Sequence, residues 1–168
     1  MALNPSQNLD SAVVARPTGK GRFQAEIRVR GATIIADEPE IVGGDASGPT
    51  PYELLSGALA ACTAMTIRLY GERKGWDLPP FAVEVAHTIV KPAGDARPHD
   101  RFDRHIAFEA ELDEEKKAKL LEIADKCPVH RTFMRGFEVV TDIGRPSEHV
   151  QGEPPARHEE EMERACAD

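Results

Sequence analysis

Apolar residues recur along this chain at two periods, and the two periods divide it into strands and helices. Phe23, Ala25, Ile27 and Val29 alternate with Arg22, Gln24, Glu26, Arg28 and Arg30, the period of a strand with one wet face. A first short strand is expected over 11–16, ahead of the Thr18-Gly19-Lys20-Gly21 turn signal, and a third over 32–36 after Gly31. Together they read as an antiparallel meander. Later, Phe81, Val83, Val85, His87 and Ile89 share one face of a strand over 81–91, and Ile106, Phe108, Ala110 and Leu112 alternate in a partner over 104–112. The loop over 92–100 carries Gly94 and two prolines, so the pair reads as a long-looped hairpin.

The helical period is strongest between these two groups. Leu55, Leu59, Cys62, Met65 and Leu69 recur at spacings of three and four, one apolar face of a helix over 51–74. Thr50 suits its N-cap, Pro51 its first position and Glu53 the capping-box position, while Gly75 suits its stop. Ala58, Ala60, Ala61 and Ala64 keep the cylinder thin. So much of its circumference is apolar that the helix is expected to be covered on several sides, and a second copy of the chain is the natural cover. A second helix is expected over 113–126, capped by Asp113, with a Glu115–Lys119 pair and Leu120, Leu121, Ile123 and Ala124 as its packing side. Pro128 suits the start of a short helix, and a last strand is expected over 137–143. Strands grouped before and after the helices mark a segregated α+β class, not alternating βαβ.

Composition narrows the function classes. The chain has 168 residues, 40% hydrophobic and 30% charged, with net charge −8. That suits one domain over 11–145 between a loose arm, 1–10, and a charged tail, 146–168, helical at most near 159–165. A negative balance without clustered Lys and Arg speaks against sequence-independent nucleic-acid binding. No apolar run reaches the roughly 20 residues of a membrane span, and the first residues do not read as a secretory signal. A cytoplasmic protein is expected, with three thiols held reduced. The Gly- and Pro-rich stretch over 37–49 lacks the Gly-Lys-Ser/Thr ending of a phosphate loop.

Chemistry then rests on cysteines. Cys62 lies mid-helix on the apolar stripe, where the bland reading is a small core hydrophobe. To act as a nucleophile it needs a nearby cation, and Arg16, Arg22, Arg28 and Arg30 are the candidates. Cys127 precedes Pro128 at a helix start, where free N–H groups favour a thiolate, although a buried turn cysteine is the alternative. Cys166 falls in the charged tail and is expected to be incidental. Cys127 and His130 form a Cys-x-x-His pair, and Cys62 makes a third ligand only in a weak metal reading, since structural zinc takes four.

Two stretches together, Pro51-Tyr52-Glu53-Leu54-Leu55 through Ala60-Ala61-Cys62-Thr63-Ala64-Met65-Thr66, and Cys127-Pro128-Val129-His130-Arg131-Thr132, resemble the OsmC/Ohr family of osmotically inducible and organic hydroperoxide resistance proteins. The resemblance spans about 11–143. It is nearer the OsmC-like redox branch, because Tyr52 stands where Ohr proteins carry a glutamate, and Glu53 follows. The resemblance implies an α+β fold with antiparallel sheets wrapped around long central helices in an intertwined homodimer. It implies Cys62 as peroxidatic and Cys127 as resolving cysteine, with Glu53 and an N-terminal arginine, Arg22 by choice, orienting the site. The expected function is thiol-dependent reduction of organic hydroperoxides, recharged by a dithiol, possibly lipoyl-type, reductant, with no metal or organic cofactor. A lining of Leu55, Leu59 and Met65 would favour greasy substrates at roughly 0.8 kcal/mol per buried methylene. The rival readings are a redox-sensing or binding protein with little turnover, and a Cys/His metal protein.

Overall fold

The computed structural model describes residues 13–91, 97–141, 143–144 and 157–167. The expected arm, the beginning of the first strand, residues 92–96 and 145–156 of the tail lie outside them. The chain forms two compact units, residues 1–51 with 139–156, and residues 52–138 with 157–168.

In the first unit the alternation folds as read. Strands β1 (Val14–Pro17), β2 (Ala25–Val29) and β3 (Ala32–Ala36) form an antiparallel meander in the order β1-β2-β3. Its register pairs Ile27 with both Ala15 and Ile34, so apolar residues meet on one face. β3 delivers the buried Asp37 into the following loop. Its carboxylate accepts from the Ser47 hydroxyl at 2.7 Å and from the backbone N–H groups of Glu38, Asp45 and Ser47. The Ser47 bond is the main reason its pKa lies below the ordinary carboxylate value. A loop rich in Gly and Pro is thus pinned by one charge that accepts four hydrogen bonds, one at Oδ1 and three at Oδ2.

The second unit is built on helix α1 (Pro51–Lys74). Its end is the Gly75 expected from sequence: φ is +64°, and the Trp76 N–H reaches back to the Gly71 carbonyl at 2.9 Å, a glycine-dependent stop. At 24 residues α1 is long and apolar enough by composition to cross a membrane. Here it is a core helix, with Leu59, Ile67 and Tyr70 buried and Arg68 ion-paired to Glu72 on its exposed side. The hairpin β4 (Phe81–Val90) and β5 (His99–Phe108) pairs over ten residues, from Phe81↔Phe108 to Val90↔His99. β5 therefore begins and ends earlier than its apolar alternation indicated. Its first half is charged on the outer face, with Arg101 bonded to Asp103, and that polar stretch hid the strand.

Helix α2 (Glu114–Asp125) starts at Asp113, whose side chain accepts from the Lys116 N–H at 2.7 Å. The expected Glu115–Lys119 pair is replaced by Lys117–Glu114 and Lys119–Glu122. Leu120, Ile123 and Ala124 are buried, while Leu121 points outward. Helix α3 (Pro128–Arg135) has Cys127 at its N-cap. Among the described residues of the strand expected over 137–143, namely 137–141 and 143, none is in a strand, and Phe137, Val139, Val140 and Ile143 are largely exposed. Alternation specifies a face, but a strand also needs an edge to pair with.

Helix α4 (Arg157–Ala165) spans the helix expected near 159–165, and its packing corrects the reading of Cys166. Arg73 donates to the Glu163 carbonyl at 2.9 Å, and Cys166 is buried beside Ile67, Tyr70, Leu120, Ile123 and Ala124. Its thiol donates to the Thr66 carbonyl at 3.6 Å, and burial pushes its pKa up. Cys166 is a core residue, not a solvated one. Cys166→Ser is expected to cost about 1–2 kcal/mol, because a hydroxyl enters an apolar cluster with one acceptor in reach. The chemistry at the other two thiols should survive. Paired urea melts and thiol counts check both, and a collapse of Cys62 or Cys127 reactivity would contradict the separation.

Candidate functional site

The buried arc of α1 is not the one its apolar spacing indicates. Ser56, Leu59, Cys62, Thr63, Thr66, Ile67 and Tyr70 are buried, while Leu55 and Met65 are about half exposed, at 43% and 54%. At about 100° per residue, the arc is centred roughly a quarter turn from Cys62, toward Thr63 and Thr66. Cys62 therefore lies at its edge, facing the turn between α2 and α3. Three buried hydroxyl residues made that face look polar in the sequence. The expected lining shrinks accordingly: of Leu55, Leu59 and Met65, only Leu59 packs with the thiols.

Cys62 and Cys127 lie together, both reduced and both buried, in a cluster with Leu59 that Val85, Phe102, Val129 and Phe133 close in. Aromatic contact continues outward: Phe133 packs on Phe102 at 5.0 Å, Phe102 on His87 at 4.8 Å, and Tyr52 stacks flat on His87 at 4.2 Å. Asp100 holds the outer nitrogen of His87 at 2.8 Å. The wall beside the thiols mixes aliphatic Leu59, Val85 and Val129 with aromatic Phe102 and Phe133.

The two thiols lie close enough for each to govern the ionisation of the other. Cys62 hydrogen-bonds Cys127, and this bond, reinforced by burial, raises the Cys62 pKa far above the ordinary thiol range. The same bond is the main cause that lowers Cys127, to about 6. Burial opposes that shift. The backbone N–H groups of His130 and Val129 and the Thr63 hydroxyl assist it, although Cys127 makes no regular side-chain cap bond. The free N–H groups at the start of α3 explain the preference physically. The direction is the same from both sides: the contact disfavours a thiolate at Cys62 and favours one at Cys127.

The remaining sequence candidates lie elsewhere. Glu53 is in the first turn of α1, exposed. Nine residues before Cys62, it stands about 13 Å along the axis and on the opposite side of the helix, so a single chain does not bring it to the thiols. Arg22 belongs to the first unit, its guanidinium over the Phe23 ring at 4.8 Å. His130 is three residues past Cys127; burial lowers its pKa, the Arg104 charge adds to that, and Asp125 at 3.9 Å works against it. Among the described residues no group of three or more His, Cys, Asp or Glu is placed to hold a metal ion.

One residue was missed. Arg104 of β5 is mostly buried, and its Nη1 donates to Thr63 Oγ1 at 3.1 Å and to the Ala124 carbonyl at 2.9 Å. Its Nη2 meets Asp125 at 2.6 Å. The sequence did carry a signal: Arg104 has the strand parity of Ile106 and Phe108, so the alternation puts a charge on the inward face.

A family model described as OsmC-like protein matches residues 44–142, more than half of the chain. Among solved structures, an OsmC-like protein from Mycoplasma pneumoniae superposes with a TM-score of 0.61 at 20% identity, covering 74% of this chain and 86% of its own. The organic hydroperoxide resistance protein OhrB of Bacillus subtilis gives 0.54 at 20% identity, covering 72% and 87%. An organic hydroperoxide resistance protein OsmC from Legionella pneumophila gives 0.56 at 16%, covering 73% and 88%. No curated protein sequence matches the chain.

Proposed function

This chain belongs to the OsmC family, and on that footing we propose that it is a thiol-dependent peroxidase that reduces organic hydroperoxides through Cys62 and Cys127. The observation that carries the reading is the thiol pair itself: two reduced, buried cysteines packed against each other inside an apolar and aromatic lining. Passing the proton from Cys62 to Cys127 makes Cys62 the attacking thiolate. Its sulfur bonds to the terminal peroxide oxygen and the O–O bond breaks. The departing alkoxide takes the proton from Cys127 and leaves as the alcohol. Cys62 is then a sulfenic acid and Cys127 a thiolate. Cys127 attacks the sulfenic sulfur, hydroxide departs and takes a solvent proton, and the disulfide closes. An external dithiol, of a small or lipoyl type, returns both thiols by exchange. The cytoplasm is the compartment in which such thiols are kept reduced.

Glu53 and Arg22 remain proposed orienting groups, supplied across a homodimer. The exposed Leu55 and Met65 beside the buried arc of α1 support a second copy as their cover. Sedimentation at micromolar concentration is expected to give a dimer; a stable monomer would remove the route by which Glu53 reaches a thiol.

A second reading reverses the cysteine roles, and the resting charge on Cys127 favours it. One experiment tests the function and the order: mass spectrometry of the thiols before and after one equivalent of an alkyl hydroperoxide. A Cys62–Cys127 disulfide within one chain supports the peroxidase. Thiols left untouched would refute it.

A further inference from the structure

We infer that Arg104 is a positioning residue for the thiol pair: through Thr63 it fixes a hydroxyl donor on Cys127 and so keeps the pair's negative charge on that sulfur. Three observations meet at this point. Thr63 is fully buried, so its hydroxyl has few partners, and it hydrogen-bonds Cys127. Its oxygen accepts from Arg104 Nη1 at 3.1 Å. An oxygen that accepts from a guanidinium turns its own hydrogen outward, here toward the sulfur, and a permanently charged donor strengthens that second bond. The same Nη1 also caps the Ala124 carbonyl at 2.9 Å, one of the last carbonyls of α2, where a cation is favoured. Asp125 at 2.6 Å holds the other nitrogen in place. Ala124 is three residues before Cys127, so one guanidinium fastens the turn that carries the sulfur and orients the donor that meets it.

The groups on Cys127 are Cys62 and Thr63 from α1 and the Val129 and His130 N–H groups of α3. The charged groups around them are Arg104 of β5, paired with Asp125, the His130 ring, also near Asp125, and the chain neighbour Lys126, paired with Glu122. Thr63 links the Arg104 cation to the sulfur, and the Ala124 bond anchors the same guanidinium at the turn, so removing Arg104 acts on Cys127 by both.

The inference uses the thiol pair of the proposed peroxidase, but its test reads protonation and not peroxide turnover, so the two fail separately. Alkylation of Cys127 by iodoacetamide, followed against pH by peptide mass spectrometry, gives the titration midpoint. Thr63→Val is expected to raise it by about one pH unit, the scale of one lost hydrogen bond to an ionised group, and Thr63→Ser to restore it. Arg104→Gln is expected to raise it in the same direction. The double variant should shift by less than the sum of the two single variants, since part of the arginine's effect passes through the hydroxyl. A Thr63→Val profile that overlays the wild type would overturn the inference. So would a fully additive double variant, or an Arg104→Gln that loses thermal stability with the Cys127 midpoint unmoved. Arg104→Gln makes its demand alone, so the inference stays testable if Thr63→Val does not fold.

Discussion

Cys62→Ser is expected to consume no alkyl hydroperoxide, and Cys127→Ser to consume one equivalent and then stall or over-oxidise, turning over only slowly where added thiol reduces its sulfenic acid. Removing Cys62 removes the attacking sulfur, so the loss is complete. Removing Cys127 removes both the resolving sulfur and the group that takes the Cys62 proton. Attack then slows, because the remaining thiol must ionise against the burial that already raises its pKa. What forms is a stranded sulfenic acid, which over-oxidises to the sulfinic form with excess peroxide. Cys166→Ser should consume peroxide as the wild type does. Peroxide loss per monomer, followed with a dithiol present, separates these outcomes. If Cys62→Ser consumes one equivalent and Cys127→Ser none, the attacking sulfur is Cys127, and α1 supplies its proton donor.

The second large effect is on pH. Alkylation at Cys127 should rise through pH 6 and level off above pH 7, whereas an ordinary thiol of pKa about 8.5 keeps rising about tenfold per unit through that range. At pH 7 a pKa of about 6 makes the thiolate fraction roughly thirty times that of an ordinary cysteine. Lower basicity takes back about tenfold in nucleophilicity. The net gain in attack rate is small, so the acidic Cys127 matters more as the place where the pair stores its charge and its mobile proton. Cys62→Ala deletes the bond that contributes most to the shift and should move the inflection upward. An inflection left near pH 6 in that variant would assign the shift to the start of α3 alone.

Much of this fold was legible because its determinants are local. The Gly75 stop, the Asp113 cap and the Pro128 start each depend on residues within a turn of the chain. The antiparallel meander followed from alternation and Gly31. The failures share one cause: what covers a face is decided by residues far away in sequence. Thr63 and Thr66 read as polar positions and are buried; Met65 reads as core and faces out. The described part of the segment over 137–143 has the period of a strand and belongs to neither sheet. Cys166 reads as tail because its neighbours in sequence are charged, while its neighbours in space, Ile67 and Tyr70, are about a hundred positions away. At the site, the two cysteines stood out by type and context. Arg104 did not, because attention to N-terminal cations passed over a strand whose inward face carries one charge.

The start of α3 also decides how the oxidised protein is recharged. When a dithiol attacks the disulfide, one of the two sulfurs must depart with the electron pair, and the better leaving group is the one whose anion is already stabilised. Burial penalises an anion at either sulfur, but Cys127 has the Val129 and His130 N–H groups and the Thr63 hydroxyl to offset it, while Cys62 has only the Val129 N–H and Thr66. The incoming sulfur is therefore joined to Cys62 in the mixed disulfide, which mass spectrometry of a trapped adduct reads directly. The reductant's docking surface is then the side of α1 that presents Cys62, and the sulfur first freed is the one seated at a helix start.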